Sequence, residues 1–308
     1  MNVHRFDLSF YTGCQGDNFD EYFAAIQQLG ISNIGGGLSM EHLRDQDRLS
    51  KMREAAENRG LTFTALHSPC GLIWEDSAEQ SIATSQIVID GAAALNARST
   101  VWHFRYIHAT GPSEMPGGNR VNQFLLEDLD RRMAEVLPEV CSYAVEKGIE
   151  INLENLPCYR WSRVSQEILD FISTMNLPNL GFIIDTGHAH CNDESPAEVI
   201  RQAGPLLRDT HFHDNLGSRG FDFNSLGTQA DISTRDLHLI PGLGTINWVG
   251  VIRALREIEY PFPITFEEPQ IKGHPDPSIV QWSRCMDLTL KMWRVLEEAA
   301  TFIPNPEE

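Results

Sequence analysis

Eight short apolar runs, each followed by a longer stretch with helical spacing, divide this chain along almost its whole length. Strand and helix patterns in alternation describe βαβ units, because a parallel strand can be reached only through a crossover connection that packs back on the sheet. The predicted strands are Phe6–Tyr11, Ile31–Gly35, Leu61–His67, Thr100–Phe104, Ile149–Glu154, Gly181–Asp185, Asp209–His213 and Pro263–Glu267. The predicted helices are Phe19–Leu29, Arg48–Arg59, Ser77–Leu95, Val121–Lys147, Val164–Met175, Pro196–Ala203, Trp248–Arg256 and Ser278–Ala299. Gly30, Gly60 and Gly148 each stand just before a strand, where a left-handed residue ends a helix. Asn18 is placed to cap the first helix, and Pro196 follows Ser195 as a proline at a helix start should. Eight units with no Pro/Ser-rich linker predict an α/β fold, a single (β/α)8 TIM barrel over residues 1–300, with 301–308 as a flexible tail. A doubly wound sheet is the other arrangement such alternation permits, but no G-x-G-x-x-G follows any strand.

In such a barrel the chemistry sits at the C-terminal ends of the strands. Predicted strands three to eight end at or beside His67, His103, Glu154, Asp185, His211 and Glu267. With 43 acidic residues and 11 histidines in 308, composition alone does not put six such side chains at six successive strand ends. Alternation gives a separate check, since successive side chains face the helices and the barrel interior by turns. Ile149, Ile151 and Leu153 face the helices, which turns Glu154 inward; the same parity selects Glu267 over Glu268 and points Asp185 and His211 inward. His213 shares the parity of His211 and is a competing candidate. The loops after strands six and seven add His188 and the Asp236-Leu-His238 pair, ahead of a glycine-rich segment from Pro241 to Trp248. Mixed imidazole and carboxylate donors suit Zn²⁺, Mn²⁺, Fe²⁺ or Co²⁺, and inward-facing carboxylates need a cation to offset their repulsion. For substrate contacts the candidates are His188, Trp102, Arg105 and Arg219, all near strand ends.

The net charge of −19 and pI near 4.9 argue against a nucleic-acid or anionic-membrane surface. Six scattered cysteines without a C-x-x-C pair are read as reduced thiols. The first twenty residues lack a secretory pattern, and no run of about 18 apolar residues occurs, so the expected location is cytoplasmic. Whether the chain forms a homo-oligomer is not legible.

These residues resemble the xylose isomerase-like (AP endonuclease 2) barrels, the family of endonuclease IV and many sugar and sugar-phosphate isomerases and epimerases. The resemblance rests on Leu153-Glu-Asn-Leu-Pro157, Ile184-Asp-Thr-Gly-His188, His211-Phe-His-Asp-Asn215, Asp236-Leu-His238 with the Pro241–Trp248 segment, and Ile264-Thr-Phe-Glu-Glu-Pro269. In the epimerase branch it implies one divalent ion, often Mn²⁺, on residues matching Glu154, Asp185, His211 and Glu267, with the two glutamates also exchanging the substrate proton. In the endonuclease IV branch it implies three zinc ions, with His67, His103, His188, Asp236 and His238 as the added ligands. The loops after strands two and three do not resemble the DNA-inserting loops of that enzyme. The arginine that the epimerases place six residues after the strand-seven histidine falls here on Gly217.

The expected function is a divalent-metal-dependent sugar, keto-sugar or sugar-phosphate isomerase or epimerase. It would act by carboxylate proton transfer through a metal-stabilised enediolate, on one to three ions, with a small carbohydrate as its partner. The alternatives are a multinuclear-zinc phosphoesterase of endonuclease IV type, a keto-sugar lyase or dehydratase on the same site, and a non-catalytic sugar-binding module.

Overall fold

A computed structural model of the chain describes residues 5–12, 17–69, 77–104, 120–156, 165–217, 236–267 and 278–302. Eight strands are present: β1 Leu8–Thr12, β2 Asn33–Gly37, β3 Thr62–His67, β4 Ser99–His103, β5 Glu150–Glu154, β6 Leu180–Asp185, β7 Leu207–His211 and β8 Ile264–Phe266. They pair in parallel in the order β7-β6-β5-β4-β3-β2-β1-β8. The remaining gap closes just past β7, where Phe212 pairs with Phe266. There Phe212 N donates to the Thr265 carbonyl at 2.9 Å and Glu267 N to the Phe212 carbonyl at 3.2 Å. A sheet joined to itself has no edge to protect, which is the TIM barrel expected from the sequence and excludes the doubly wound sheet.

The helices are α1 Phe19–Gln28, α2 Met40–Arg44, α3 Gln46–Glu57, α4 Ala78–Ala94, α5 Arg120–Lys147, α6 Ser165–Met175, α7 Thr186–Cys191, α8 Pro196–Ala203, α9 Trp248–Glu257 and α10 Ile279–Phe302, with a 3₁₀ turn at Gly204–Leu206. Gly30, Gly60 and Gly148 have φ of +74°, +66° and +72°, the left-handed stops read from the sequence. Several details depart from expectation. Asn18 precedes α1 but its side chain makes no cap hydrogen bond. The short helices α2 and α7 fall where loops were expected; each is nucleated by a side-chain cap, Ser39 Oγ accepting from His42 N and Asp185 Oδ1 from His188 N. The last helix runs through Thr301 and Phe302 into the segment read as tail, because Thr301 Oγ1 donates to the Glu297 carbonyl at 3.0 Å and accepts from Arg256 at 3.2 Å. Residues 303–308 lie outside the described residues.

β2 begins two residues later than expected, because Ile31 still closes the preceding turn onto the Ile26 carbonyl. Gly36 and Gly37, beyond the expected strand end, are strand as well. A Cβ at Gly37 would lie 2.3 Å from the Tyr11 hydroxyl, so the missing side chain makes room for a phenol from β1.

Most of the core lies between barrel and helices and includes Phe10, Ile34, Phe63, Leu66, Trp102, Ile151, Leu153, Phe182, Ile184, Phe212 and Phe266. Inside the barrel, Ala65, Val101 and Ile183 form a separate apolar group. Each stands two residues before His67, His103 or Asp185, so the three form a floor one step below those side chains. Beneath or beside this floor the interior is polar, with Ser9, Thr64, Ser99, Asn152, Asp209 and Thr265 all buried. Of the cysteines, Cys141, Cys191 and Cys285 are buried free thiols, and burial pushes that of Cys141 up to about 12. Among the described residues no helix is long and apolar enough to cross a membrane.

Gly148 isolates the backbone contribution to these stops, since no atom lies within 4 Å of a Cβ built on it. Gly148→Ala should therefore lower unfolding free energy by about 1–2 kcal/mol, the usual cost of a left-handed alanine, with Asn costing less. Urea denaturation of both variants checks this.

Candidate metal centre

Strand alternation carries Glu154 and Asp185 to the mouth of the barrel with 1% and 0% exposure. Glu154 is the hub. Its Oε2 lies 3.1 Å from His67 Nε2 and 3.4 Å from His103 Nε2, and its Oε1 2.7 Å from His211 Nδ1. One oxygen or nitrogen of each of Glu154, Asp185, His211 and Glu267 lies within 4.8 Å of the other three. A second arm runs through Asp236, whose Oδ2 sits 3.2 Å from His188 Nε2 and 3.1 Å from His238 Nε2. All nine side chains singled out as ligands in the sequence thus lie in one contiguous cluster. A tenth joins them: His213 is fully buried, with Nε2 3.0 Å from Asp185 Oδ2 and 3.6 Å from Asp236 Oδ1.

The backing of the histidines decides which ring nitrogen faces the cluster. His67 Nδ1 donates to the Ser68 carbonyl at 2.8 Å, His188 Nδ1 to the Asn155 carbonyl at 2.8 Å, and His238 Nδ1 to the Glu267 carbonyl at 3.2 Å. A carbonyl can only accept, so each of these Nδ1 atoms carries the proton and each neutral ring presents a bare Nε2 lone pair to a carboxylate. Two facing lone pairs repel unless a cation, a metal ion or a second proton, stands between them. His213 differs. Its Nδ1 is buried without a partner among the described residues, so the ring can keep its proton on Nε2 and donate it to Asp185, while its position also groups it with Asp185 and His188 and with His238 and Glu267 as a candidate donor. Its ring lies against Gly187, where a Cβ would fall 1.9 Å from His213 Cε1, and stacks on His238 at 4.0 Å.

Asn155 ties the arrangement together. Its Nδ2 donates to the Asp185 carbonyl at 2.9 Å and its Oδ1 accepts from Asp185 N at 2.8 Å, while its own carbonyl holds His188. Tyr11, from β1, packs its ring edge-on against His211 and His67 at 5.7 and 6.1 Å.

The profile of the xylose isomerase-like TIM barrel family matches residues 23–287, most of the chain. The chain belongs to that family. An uncharacterized protein of Methanocaldococcus jannaschii is 29% identical over 188 residues, 60% of this chain and 55% of that protein, so the match spans about half the relative's length. A D-psicose 3-epimerase of Agrobacterium fabrum is 22% identical over 320 residues, covering 99% and 94% of the two chains. The structure of a D-psicose 3-epimerase with D-tagatose from Clostridium cellulolyticum superposes with a TM-score of 0.73 at 17% identity, covering 94% of this chain and 99% of that one.

The donor set of this xylose isomerase-like barrel fits a divalent ion. Among the described residues Glu267 Oε2 is buried with no hydrogen-bond partner, 3.5 Å from His211 Nδ1, a condition that suits a carboxylate whose partner is an ion. Protons alone must otherwise balance the charge. Burial opposes protonation of His211, but Glu267 and Glu154 outweigh it and raise its pKa to about 10. Burial likewise opposes charge on His238, and Asp236 raises it to about 10. Glu154 is disfavoured as an anion by burial, yet His211, His103 and His67 hold it well below the ordinary range. Glu267 goes the other way, raised by burial.

Trp102 is corrected as a substrate contact. Inward parity at His103 turns Trp102 outward, where it is fully buried in the barrel–helix core and donates from Nε1 to Thr100 Oγ1 at 2.8 Å. Arg105 and Arg219 lie outside the described residues.

Two outcomes follow from this geometry. Gly187→Ala should displace His213 from Asp185 and weaken Mn²⁺ or Zn²⁺ uptake at least tenfold while the far-UV spectrum is retained; a metal titration reads it. In metal-free protein, the stabilisation from His211 and His238 is complete below their unfolded pKa near 6.5 and is lost as pH rises through about 10. The urea midpoint of metal-free chain should fall from pH 7 to pH 10, and metal loading should flatten that fall.

Proposed function

We propose that this chain is a divalent-metal-dependent isomerase or epimerase of a small keto-sugar. The observation that carries the reading is the trio His67, His188 and His238, each with Nδ1 fixed on a carbonyl and Nε2 aimed at Glu154 or Asp236, beside the unpartnered Glu267 oxygen. Glu154, Asp185, His211 and Glu267 would hold the ion. When bound, that ion supplies Lewis acidity to a carbonyl and the neighbouring hydroxyl of the sugar. The matched relatives support the substrate class, because the Agrobacterium fabrum protein is a D-psicose 3-epimerase.

The chain's own part is proton transfer. Epimerisation next to a carbonyl needs one group to take the carbon-bound proton and a second to return one on the opposite face. Glu154 and Glu267 leave different strands, β5 and the end of β8, with environments that push their carboxyls apart, one held ionised by histidines and one raised by burial. One carboxylate removes the proton, the electron pair passes into the enediolate, and the other carboxyl delivers a proton to the opposite face. The fixed imidazoles orient the carboxylates.

Glu154→Gln and Glu267→Gln should each keep the fold and lower turnover of ketohexoses or ketopentoses by at least about a hundredfold, the usual span of acid–base assistance. Exchange of the substrate's carbon-bound hydrogen in D₂O is measured alongside; undiminished exchange in either variant overturns the assignment. Elimination products in place of an epimer would redirect the reading to a lyase on the same centre. A second reading has one observation in its favour. His67 and His103 on one side, and His188, Asp236 and His238 on the other, flank the four-donor group, as a multinuclear phosphoesterase requires. Ion content near one per chain supports the epimerase, whereas two or three together with phosphodiester hydrolysis supports the second reading.

A further inference from the structure

We infer that Asp214 is the positioning residue that fixes Asp236 and His238 in the centre, so that metal uptake on that arm depends on a carboxylate that touches no ligand atom. The inference deepens the metal reading above and rests on it. Asp214 is fully buried, yet its side chain faces away from the cluster into the Pro241–Trp248 segment. Its Oδ1 accepts from Asn215 N at 2.8 Å and Ile246 N at 3.2 Å. Its Oδ2 accepts from Gly242 N at 2.8 Å, Gly244 N at 3.0 Å and Trp248 Nε1 at 2.8 Å. Five neutral N–H groups therefore surround one carboxylate and fold the loop around it. Gly244 allows the approach, since a Cβ there would lie 2.3 Å from Asp214 Oδ1 and 2.4 Å from the Asn215 carbonyl.

The same residue grips the chain on the other side. Asp214 and Leu239 form an antiparallel bridge, with Asp214 N donating to the Leu239 carbonyl at 2.6 Å and Leu239 N to the Asp214 carbonyl at 2.9 Å. The next residue back is His238, whose φ of +45° is a left-handed backbone that a histidine holds only where its surroundings dictate it. Leu239 pins it from one side, and the Glu267 carbonyl pins its Nδ1 from the other. Asp236 is two residues further back and accepts from the neighbouring Asn215 Nδ2 at 3.5 Å. Strand seven thus contributes His211 to the centre directly and, through Asp214, the two ligands that arrive from the long return.

Asp214→Asn keeps the shape but leaves one acceptor oxygen and sets an NH₂ against groups that can only donate. The test is a Zn²⁺ and Mn²⁺ titration of wild-type, Asp214→Asn and His238→Ala chains, with amide hydrogen exchange followed at Gly242, Gly244 and Ile246. Asp214→Asn should lose the same ion equivalent, or the same tenfold or greater affinity, as His238→Ala. Its three loop amides should exchange at least tenfold faster, a change His238→Ala should not produce. If Asp214→Asn melts earlier but binds metal as the wild type does, or if His238→Ala binds metal unchanged, the inference is overturned. A wild-type chain that takes up neither metal overturns the metal reading instead, which keeps the two failures apart. Should Asp214→Asn not fold, Trp248→Phe removes one donor of the five and leaves the carboxylate. It should weaken the same uptake to a smaller degree, and unchanged uptake with unchanged loop exchange counts against the inference.

Discussion

Lone pairs that face one another inside a protein must have a cation between them, and much of the upper half of this barrel is arranged around that requirement. Glu154 meets three imidazoles, Asp236 meets two more with bare Nε2 atoms, and Asp185 is shared between a helix cap and His213. Each contact between a carboxylate and a bare Nε2 is unfavourable without a positive charge and strongly favourable with one. The backbone accepts constraints to keep it so. Carbonyls of Ser68, Asn155 and Glu267 are committed to ring N–H groups, and His238 is held in a left-handed conformation.

Parallel strands make the concentration of charge feasible. Every β-to-α connection leaves the sheet at the same end, so ligands far apart in sequence, from His67 to Glu267, meet without any long-range contact having to be encoded between them. Alternation supplies the direction, and the ladder supplies the height. His103 pairs with Glu154 across β4 and β5, and Asp185 with His211 across β6 and β7, which sets the members of each pair side by side.

Much of this was legible in the sequence for the same reason. A period of two says which of two adjacent glutamates turns inward, and it would have said that Trp102 turns outward once His103 was taken as inward; nearness to a strand end is a weaker guide than parity. Asn155 and Asp214 stood inside motifs already noted, but their work is done through hydrogen bonds to backbone groups about thirty residues away, which no local pattern announces. Tyr11 left one trace, the glycine run of β2 that yields space to its hydroxyl, and the end of that run read as loop because composition does not reveal what a missing side chain makes room for. His213 passed the parity test as well as His211. Parity alone does not separate an orienting histidine from a ligand.

The small floor of Ala65, Val101 and Ile183 lies between two charged layers of the barrel interior. Below it, Arg98 and Arg208 balance Glu150 and Asp209. Above it, the charged layer rests on hydrocarbon at these three positions, where screening is weak. Their field is therefore screened less on that side than at the open mouth, until a molecule settling there displaces the water. Three hydrocarbon side chains, none of them bearing a reactive atom, thus help to set how strongly the charged layer above them acts.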